Sequence, residues 1–431
     1  MARTLNALDP GFGNVFRALM AEQRSTVDKV DDVVASVLGD VRVRGDAALL
    51  DYTERFDGIR LSDEEIRLSA DEIEAACSEC DHASLDALKF ASHRIEEFHR
   101  RQMPETVSYT DEVGVKLGAR WRPIDAVGLY VPGGSAAYPS SLLMNAIPAR
   151  IAGVNRLAIT VPAPSKIIEP LVLAAAQIAG VEEIYRVGGA QAIGALAYGT
   201  KTIAPVDKIV GPGNAYVAAA KRQVFGLVGI DMIAGPTEVL IVADAENDPS
   251  WIAIDLLAQA EHDVAARPIL MTDDKGFAEQ VEIEVEFHLT TLERKDIARA
   301  SWEKNGLIVI VEDLGEVAPL VNQVAPEHLQ LAVTDPEALA VNIFHAGAIF
   351  MGRYTPEAIG DYVAGPNHVL PTGGSARFAS GLSVLDFLKR TSVISCDAQS
   401  LSAVGSAAIT LAKKEGLGAH ARSISVRLNR P

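Results

Sequence analysis

From Ile124 onward the chain alternates short apolar, often β-branched runs with glycine or proline turns and alanine-rich stretches. The first runs of this kind are Ala126-Val-Gly-Leu-Tyr-Val131, Leu157-Ala-Ile-Thr-Val161, Glu183-Ile-Tyr-Arg-Val187 and Lys208-Ile-Val210. Each run has the length of a buried strand, and the alanine-rich segments between them are long enough for helices. Strands that alternate with helices predict a parallel sheet covered by helices, so we expect an α/β unit here.

A second series of the same texture follows farther along the chain. Its runs are Glu238-Val-Leu-Ile-Val-Ala243, Pro268-Ile-Leu-Met271, Gly306-Leu-Ile-Val-Ile-Val311 and Gly347-Ala-Ile-Phe-Met351. A chain of 431 residues is long enough for two domains with separate cores. We therefore predict two parallel α/β units.

The flanking segments differ from these units. Residues 27–104 place charged residues among Leu, Val and Ala in a pattern typical of helices, and Pro104 closes the stretch. From about Leu382 the tail holds one Ala/Leu-rich helix, and the alternation in Ser423-Ile-Ser-Val-Arg-Leu428 predicts an edge strand. This tail is too small to bury a core of its own, so we expect it to dock on another surface.

Composition narrows the class of protein. The formal net charge of −18 argues against nucleic-acid binding, which needs a basic surface, and is compatible with a small cationic substrate. No run approaches the roughly 18 to 20 apolar residues that cross a bilayer, so no membrane association is expected. Only three cysteines occur and the first residues lack an apolar signal core, which favours the reducing cytoplasm.

Glycine turns follow strands of the first series. They are Val131-Pro-Gly-Gly-Ser135, Val187-Gly-Gly-Ala-Gln191 and Val210-Gly-Pro-Gly-Asn214. Small residues at the carboxyl ends of parallel strands let a phosphate-bearing ligand approach the amides of the next helix. However, Tyr216 stands where the third glycine of the dinucleotide fingerprint belongs. By pattern alone, a dinucleotide site and ordinary turns both stay open.

A few side chains that bind metals or protons stand among apolar or small residues. Gln259 and His262 lie three residues apart in a pattern of helical spacing, so both project from one face and can share a ligand. Asp361 falls in a Gly- and Pro-rich stretch that predicts a loop, and His420 lies in the tail. These four residues could supply a catalytic zinc site. Taken singly, any one of these histidines is more often a structural residue than a ligand.

Taken together, several motifs resemble the histidinol dehydrogenase family, and the resemblance runs essentially end to end. They are Gly128-Leu-Tyr-Val-Pro-Gly-Gly134, Val210-Gly-Pro-Gly-Asn214, Ala234-Gly-Pro-Thr-Glu238, Gln259-Ala-Glu-His262, Ala325-Pro-Glu-His-Leu329 and Ala364-Gly-Pro-Asn-His368. The resemblance implies a zinc-dependent oxidoreductase of histidine biosynthesis. Members oxidise L-histidinol to L-histidine through the aldehyde, using two NAD in turn.

The resemblance also implies roles for individual residues, carried over by position. The implied catalytic residues are Glu327 and His328. The implied zinc ligands are Gln259, His262, Asp361 and His420, and the implied NAD contacts are Tyr130, Gln191 and Asn214. The implied substrate contacts are those four zinc ligands with Thr237, His328, His368 and Glu415. Thr237 stands where many members have Ser, and both residues keep a hydroxyl.

The implied architecture is a pair of Rossmann-like domains in an intertwined homodimer with shared active sites. Residues 127–238 would form the NAD-binding domain, and residues 27–126 with 239–381 the domain that carries the zinc and the catalytic residues. Residues 1–26 would be an N-terminal extension. Residues 382–431 would be a C-terminal extension that reaches the partner subunit.

The chemistry that the resemblance implies divides the work between two adjacent residues. His328 takes the alcohol proton while hydride leaves, since an imidazole has its pKa near the working pH. Glu327 takes the proton of the water that adds to the aldehyde. Because neighbours on a strand point opposite ways, we expect this pair on a loop or helix start after Pro326. Three alternatives stay open: a paralogue that oxidises another small alcohol, a zinc hydrolase, and a noncatalytic binding protein.

Overall fold

The computed structural model describes residues 2–24, 30–133, 138–164 and 166–429. The helices are α1 (Phe12–Arg24), α2 (Asp31–Arg44), α3 (Asp46–Asp57), α4 (Ala70–Glu79), α5 (His82–Arg100), α6 (Pro139–Ala152), α7 (Pro170–Ala179), α8 (Gly189–Tyr198), α9 (Ala215–Val224), α10 (Pro249–Ala260), α11 (Lys275–His288), α12 (Lys295–Asn305), α13 (Ala318–Val324), α14 (Pro336–Ala340), α15 (Glu357–Tyr362), α16 (Ala398–Lys414) and α17 (Gly418–Ser425). Short 3-10 helices cover Leu314–Glu316, Ser375–Arg377, Val384–Phe387 and Val426–Leu428.

The strands are β1 (Arg3–Asn6), β2 (Val107–Thr110), β3 (Lys116–Pro123), β4 (Ala126–Tyr130), β5 (Arg156–Thr160), β6 (Glu183–Tyr185), β7 (Lys208–Val210), β8 (Gly229–Ile230), β9 (Glu238–Ala243), β10 (Arg267–Thr272), β11 (Leu307–Ile310), β12 (His328–Ala332), β13 (Ala348–Met351) and β14 (Leu388–Ser395). They form two parallel sheets and one small antiparallel sheet. The predicted α/β class is confirmed.

The larger parallel sheet has six strands in the order β1-β11-β10-β9-β12-β13. Helices cover both of its faces, so successive residues of the central strand β9 enter different cores. Val239 and Ile241 pack with α10 and α11, whereas Leu240 and Val242 pack with α1 and α13. A strand buried on both faces needs apolar residues on both of them, which explains the unbroken apolar run from Val239 to Ala243 after Glu238.

The second parallel sheet has five strands in the order β6-β5-β4-β7-β8. Val127 and Leu129 of β4 join a core with α4 to α7, and Tyr130 joins a core with α2, α3, α8 and α9 on the other face. Strand β4 runs beside β7, so the turns that follow these two strands lie at the same edge of the sheet. Tyr130 and Asn214, two of the NAD contacts that the resemblance implies, therefore lie at the same edge of this sheet.

The packing differs from the predicted grouping of residues 27–126 with 239–381. Val34 and Val41 of α2 share a core with Ile193 of α8, and Leu88 and Ile95 of α5 share one with α6 and α7. Helices α2 to α5 therefore pack on the five-stranded sheet. An amphipathic pattern shows that one face of a helix is buried but does not show which sheet covers it. The predicted N-terminal extension supplies β1, which pairs with β11 in the six-stranded sheet.

The tail joins the rest of the chain through β14, which pairs along its whole length with β3. Beyond β14, helices α16 and α17 pack on each other. The predicted edge strand over Ser423–Leu428 is wrong, because this segment is the end of α17 followed by a 3-10 turn. Ile424 and Leu428 are four residues apart, and both lie against Gly405 of α16, where a Cβ would come 2.7 Å from Leu428. Helical spacing of these two apolar residues outweighs their alternation.

No helix among the residues that the structure describes combines the length and the apolar character needed to cross a membrane.

Candidate active site

A cavity of about 570 Å³ receives side chains from both parallel α/β units. Most of the predicted site residues line it, although they are far apart in the sequence. They are Tyr130, Asn214, Thr237, Gln259, His262, Glu327, His328, Asp361 and His368. Three predicted residues, Gln191, Glu415 and His420, are not on its wall.

Strand ends and helix ends of the six-stranded unit position the polar side chains of the cavity. Thr237 immediately precedes β9, and His328 is the first residue of the neighbouring β12, where it pairs with Val239. Glu327 precedes β12 directly, so the expected loop position after Pro326 applies to Glu327 only. Gln259 lies in the last turn of α10, and the His262 amide donates to its carbonyl at 3.2 Å.

Asp361 lies in the short helix α15, so the predicted loop at this position is wrong. Gly360, which suggested a loop, sits against the ring of Phe350, where a Cβ would approach a ring carbon to 2.6 Å. The glycine is thus required by close packing within a helix. His368 follows in the loop after α15.

A chain of hydrogen bonds connects Gln259 to Glu327 through Thr237. The Nε2 amide of Gln259 donates to Thr237 Oγ1 at 2.8 Å, and the Thr237 hydroxyl donates to Glu327 Oε2 at 2.6 Å. The backbone amide of Glu238 donates to the same carboxyl oxygen at 3.1 Å. Burial raises the pKa of Glu327 well above its usual value, and the two donated hydrogen bonds work in the opposite direction. A carboxyl with a raised pKa is suited to proton transfer near neutral pH.

His328 is buried, and a backbone contact fixes its tautomer. Its Nδ1 lies 3.1 Å from the carbonyl oxygen of Glu238, which can only accept, so Nδ1 carries the proton and donates it. The other nitrogen, Nε2, has no hydrogen-bond partner among the described residues. Burial lowers the pKa of His328 to about 4, below the value near the working pH that was expected of this imidazole. At neutral pH this side chain is therefore an uncharged imidazole with an available lone pair on Nε2.

His368 has both ring nitrogens engaged. Nδ1 donates to the carbonyl oxygen of Asp361 at 2.9 Å, so Nε2 is the acceptor and receives the hydroxyl of Ser141 at 3.1 Å. Burial lowers the pKa of this imidazole as well. Since Ser141 belongs to α6 of the five-stranded unit, His368 connects the two units across the cavity. A ring with both nitrogens occupied is placed to orient other groups rather than to bind a metal.

The predicted zinc ligands are only partly assembled within one chain. Gln259, His262 and Asp361 line the same cavity, and the buried Oε1 of Gln259 has no partner among the described residues. Oxygen and imidazole donors of this kind suit zinc. Within the described ranges, no three His, Cys, Asp or Glu side chains are grouped as a metal site. His420, the fourth predicted ligand, is exposed on α17.

The predicted cofactor residues occupy the end of β4, the first turn of α8 and the N-cap of α9. The phenol oxygen of Tyr130 accepts the backbone amide of Gly189 at 3.1 Å, and burial raises the pKa of this phenol to about 12. Asn214 caps α9 by accepting the amides of Tyr216 and Val217. Gln191 is buried, with both polar ends lacking a partner among the described residues. Residues 134–137, the end of the first glycine turn, lie outside the described residues.

Comparisons with known proteins identify the family of the chain. A family model for histidinol dehydrogenase matches residues 20–428. The histidinol dehydrogenase of Rhodospirillum rubrum is 62% identical over 431 residues, which is 100% of this chain and 99% of that protein. That of Ruegeria pomeroyi is 58% identical over 430 residues, again 100% of this chain and 99% of that protein. The chain belongs to the histidinol dehydrogenase family.

The resemblance inferred from the sequence motifs is thus confirmed, and the chain is an oxidoreductase. A solved histidinol dehydrogenase, from Elizabethkingia anophelis, has the same fold. Its crystal structure matches with a TM-score of 0.94 at 37% identity, covering 99% of this chain and 98% of that one.

The histidinol dehydrogenase fold of this chain leaves two predicted substrate residues away from the cavity wall. Glu415 follows the last turn of α16 and His420 lies in α17, and both are exposed. Neither residue lines the cavity of its own chain.

Other cavity residues were not predicted from the sequence. Ser141, Lys221 and Asp231 all line the cavity and are buried. A role for Lys221 could have been suspected from the sequence, because this charged residue follows an apolar stretch of a helix rich in alanine and valine. Ser141 had a weaker one, because serines are common near helix starts for reasons of capping.

Proposed function

We propose that the chain oxidises L-histidinol to L-histidine through L-histidinal in this cavity, with two NAD molecules used in turn, as the last steps of histidine biosynthesis. The observation that carries the proposal is that burial shifts the pKa values of two adjacent side chains in opposite directions. His328 is a neutral imidazole with an unpartnered Nε2, and Glu327 is a carboxyl whose pKa is raised by burial. Histidinol is proposed as the substrate because the chain belongs to the histidinol dehydrogenase family.

In the alcohol step, Nε2 of His328 takes the hydroxyl proton while the carbon-bound hydrogen leaves as hydride. The Glu238 carbonyl holds the Nδ1 proton and so keeps the lone pair on Nε2. When His328 becomes an imidazolium, the same carbonyl stabilises its charge. NAD, when bound, supplies the hydride acceptor.

In the aldehyde step, water adds to the aldehyde and the resulting hydrate loses a second hydride. Glu327 takes the proton of that water in its ionised form, which the hydrogen bonds from Thr237 and Glu238 favour against the effect of burial on its pKa. Its Oε2 already accepts the Thr237 hydroxyl and the Glu238 amide, which leaves the other carboxyl oxygen to receive the proton. These two donors also fix the carboxyl plane, so the base meets the substrate in one orientation.

The residues present fit a zinc ion. Gln259, His262 and Asp361 would hold it together with His420 of a second copy of the chain. The amide nitrogen of Gln259 donates a hydrogen bond to Thr237, so the unpartnered Oε1 is the atom available to a metal. A bound zinc supplies a charge that holds the amine and imidazole of histidinol. His368 of the same chain and Glu415 of the second copy would orient the rest of the substrate.

The residues present also fit NAD at the five-stranded unit. Gly211 lies so close to Tyr130 that a Cβ would come 2.1 Å from the Tyr130 carbonyl oxygen. This glycine keeps the turn open toward the N-terminus of α9, where backbone amides and the helix dipole favour phosphate. Tyr130, Gln191 and Asn214 are the proposed contacts. In this proposal residues 127–238 bind NAD, and residues 239–381 carry the zinc and the catalytic pair.

The proposal also covers the oligomeric state of the protein and the compartment in which it works. The protein acts as an intertwined homodimer whose tails, residues 382–431, complete the partner's site, since Glu415 and His420 do not line the cavity of their own chain. It works in the cytoplasm, where its free cysteines, Cys77, Cys80 and Cys396, stay reduced.

The test is a substrate panel with zinc-loaded protein, NAD, and histidinol or other small amino alcohols. We expect NADH to form fastest with histidinol and to disappear in protein stripped by a chelator, then return when zinc is restored. A higher kcat/KM for another alcohol would indicate a paralogue with a different substrate. Zinc-loaded protein that forms no NADH with any alcohol would refute the proposal.

A further inference from the structure

A buried ion pair lies beside the second glycine turn, at the cavity wall. Lys221 of α9 contacts the carboxylate of Asp231, which follows β8, and the two side chains are 3% and 1% exposed. Both residues line the cavity that also holds the proposed acid-base pair. Burying two charges costs several kcal/mol of lost hydration, so the pair needs strong compensating contacts.

Those contacts converge on one residue of the turn. The ammonium of Lys221 donates to the carbonyl oxygen of Gly211 at 2.9 Å, and the amide of Gly211 donates to Asp231 Oδ2 at 2.8 Å. The other carboxylate oxygen accepts the amide of Met232 at 2.6 Å. Both peptide groups of Gly211 are therefore held by the two members of one ion pair.

Gly211 is also the most constrained position of the turn. Its φ of 110° is a conformation that residues with a side chain rarely adopt, and a Cβ there would overlap the Tyr130 carbonyl oxygen. The turn therefore passes directly against the end of β4 and leads within three residues to Asn214. A small rotation at Gly211 would move the two proposed NAD contacts, Tyr130 and Asn214, relative to each other.

We infer that Lys221 and Asp231 are positioning residues that hold the turn of residues 210–214 in the conformation that accepts NAD. The pair is neutral overall and its hydrogen bonds point at the backbone, so it acts through the turn rather than on the cofactor. A purely structural role would not require charge, since a buried ion pair can often be exchanged for apolar residues without loss of stability. The inference rests on the proposed function, because it assumes that NAD binds at this turn.

The test separates stability from cofactor binding with four variants. Lys221→Met and Asp231→Asn each leave one uncompensated partner, whereas the double variant Lys221→Met/Asp231→Leu removes both charges. The matched control is Lys208→Met, since Lys208 is a largely buried lysine of β7 whose ammonium donates to the Asp386 carbonyl at 2.7 Å rather than to Gly211. Each variant is measured for its melting temperature, for equilibrium NADH binding by fluorescence, and for KM and kcat with NAD.

We expect the double variant to fold but to melt below the wild-type protein, because the amide and carbonyl of Gly211 and the amide of Met232 lose their partners. At temperatures where it is folded it should bind NADH about tenfold or more weakly, because a small displacement of a binding group costs that much. KM for NAD should rise with it, and kcat at saturating NAD should fall less. The control should bind NADH normally. Asp231→Asn, which keeps an oxygen for the Gly211 amide, should retain the fold and lie between the wild-type protein and the double variant in NADH affinity.

A folded double variant or a folded Asp231→Asn variant with wild-type NADH affinity would overturn the inference. Weakened binding in Lys208→Met to the same degree would also overturn it, because the effect would then not be specific to the turn. A wild-type protein that binds no NADH would instead refute the proposed function, so the two failures are distinguishable.

Discussion

Replacing Glu327 by Gln removes a base while changing the local hydrogen bonds very little. Oε2 of Glu327 accepts from Thr237 at 2.6 Å and from the Glu238 amide at 3.1 Å, and a glutamine carbonyl oxygen can accept both. Because Gln has the same size and can keep both bonds, we expect the free energy of unfolding to change by about 1 kcal/mol or less. The variant should therefore be folded at ordinary assay temperatures.

The rate effect should be confined to one half of the reaction. A general base contributes about a hundredfold to ten-thousandfold in rate, equivalent to roughly 2.7 to 5.5 kcal/mol in the barrier. Conversion of the aldehyde to histidine with NAD should slow by that factor in Glu327→Gln. Reduction of the aldehyde to histidinol with NADH requires no water addition and should survive in large part.

The assay starts both reactions from the aldehyde and follows NADH absorbance, with histidine and histidinol quantified by chromatography. The matched control is Glu357→Gln. Glu357 is a second buried carboxyl, and its distance of 4.0 Å from Nδ1 of His328 is close to the 3.9 Å of Glu327. The hydroxyl of Thr237 donates to Glu327 and not to Glu357. We expect this control to affect histidine formation far less. Equal losses in the two directions for Glu327→Gln, with zinc content and melting temperature unchanged, would refute the division of labour.

Further predictions concern the imidazoles and the zinc. His328→Asn should slow histidinol oxidation about a hundredfold or more. Since the pKa of His328 in the wild-type protein lies near 4, below the ordinary 6.5, the wild-type rate should stay flat as the pH falls from 7 and drop only near pH 4. A fall in rate with its midpoint near pH 6.5 would contradict this. Thr237→Val should weaken zinc binding by about tenfold or more, measured by metal competition, because Gln259 loses the contact that orients its amide, whereas Thr237→Ser should not. His262→Asn should lose zinc and turnover with its fold intact by circular dichroism; normal zinc content would remove it from the ligand set. Mixing His262→Asn with His420→Asn under conditions that exchange subunits should restore part of the activity, and verified exchange with no recovery would exclude a shared site.

The core strands were the most predictable part of the fold. The predicted runs at residues 208–210 and 238–243 coincide with β7 and β9, because a strand buried on both faces is apolar along most of its length. Strand β12 was missed, although it carries His328, since its polar Gln330 interrupts the apolar run. Inside the fold, the amide nitrogen of Gln330 donates to Asp255. Sequence pattern identifies a buried polar residue as an interruption and cannot show its partner.

The site residues were found by motif, while their arrangement was not predictable. Nothing in the order of Thr237, Gln259 and Glu327 indicates that one hydroxyl bonds the other two, because the contact depends on how β9, α10 and β12 pack. The partner of Lys221 was hidden for the same reason, since Asp231 approaches it only through the β7 and β8 pairing. The grouping of the early helices failed because an amphipathic helix does not encode which sheet it covers.

The most direct measurement of the central claim is the ratio of NADH formed to histidine formed when a known amount of histidinol is consumed completely by zinc-loaded protein and excess NAD. Two successive hydride transfers at one cavity predict two NADH for each histidine, with no aldehyde accumulating in solution. One NADH for each histidinol consumed, with the aldehyde as the final product, would contradict the account.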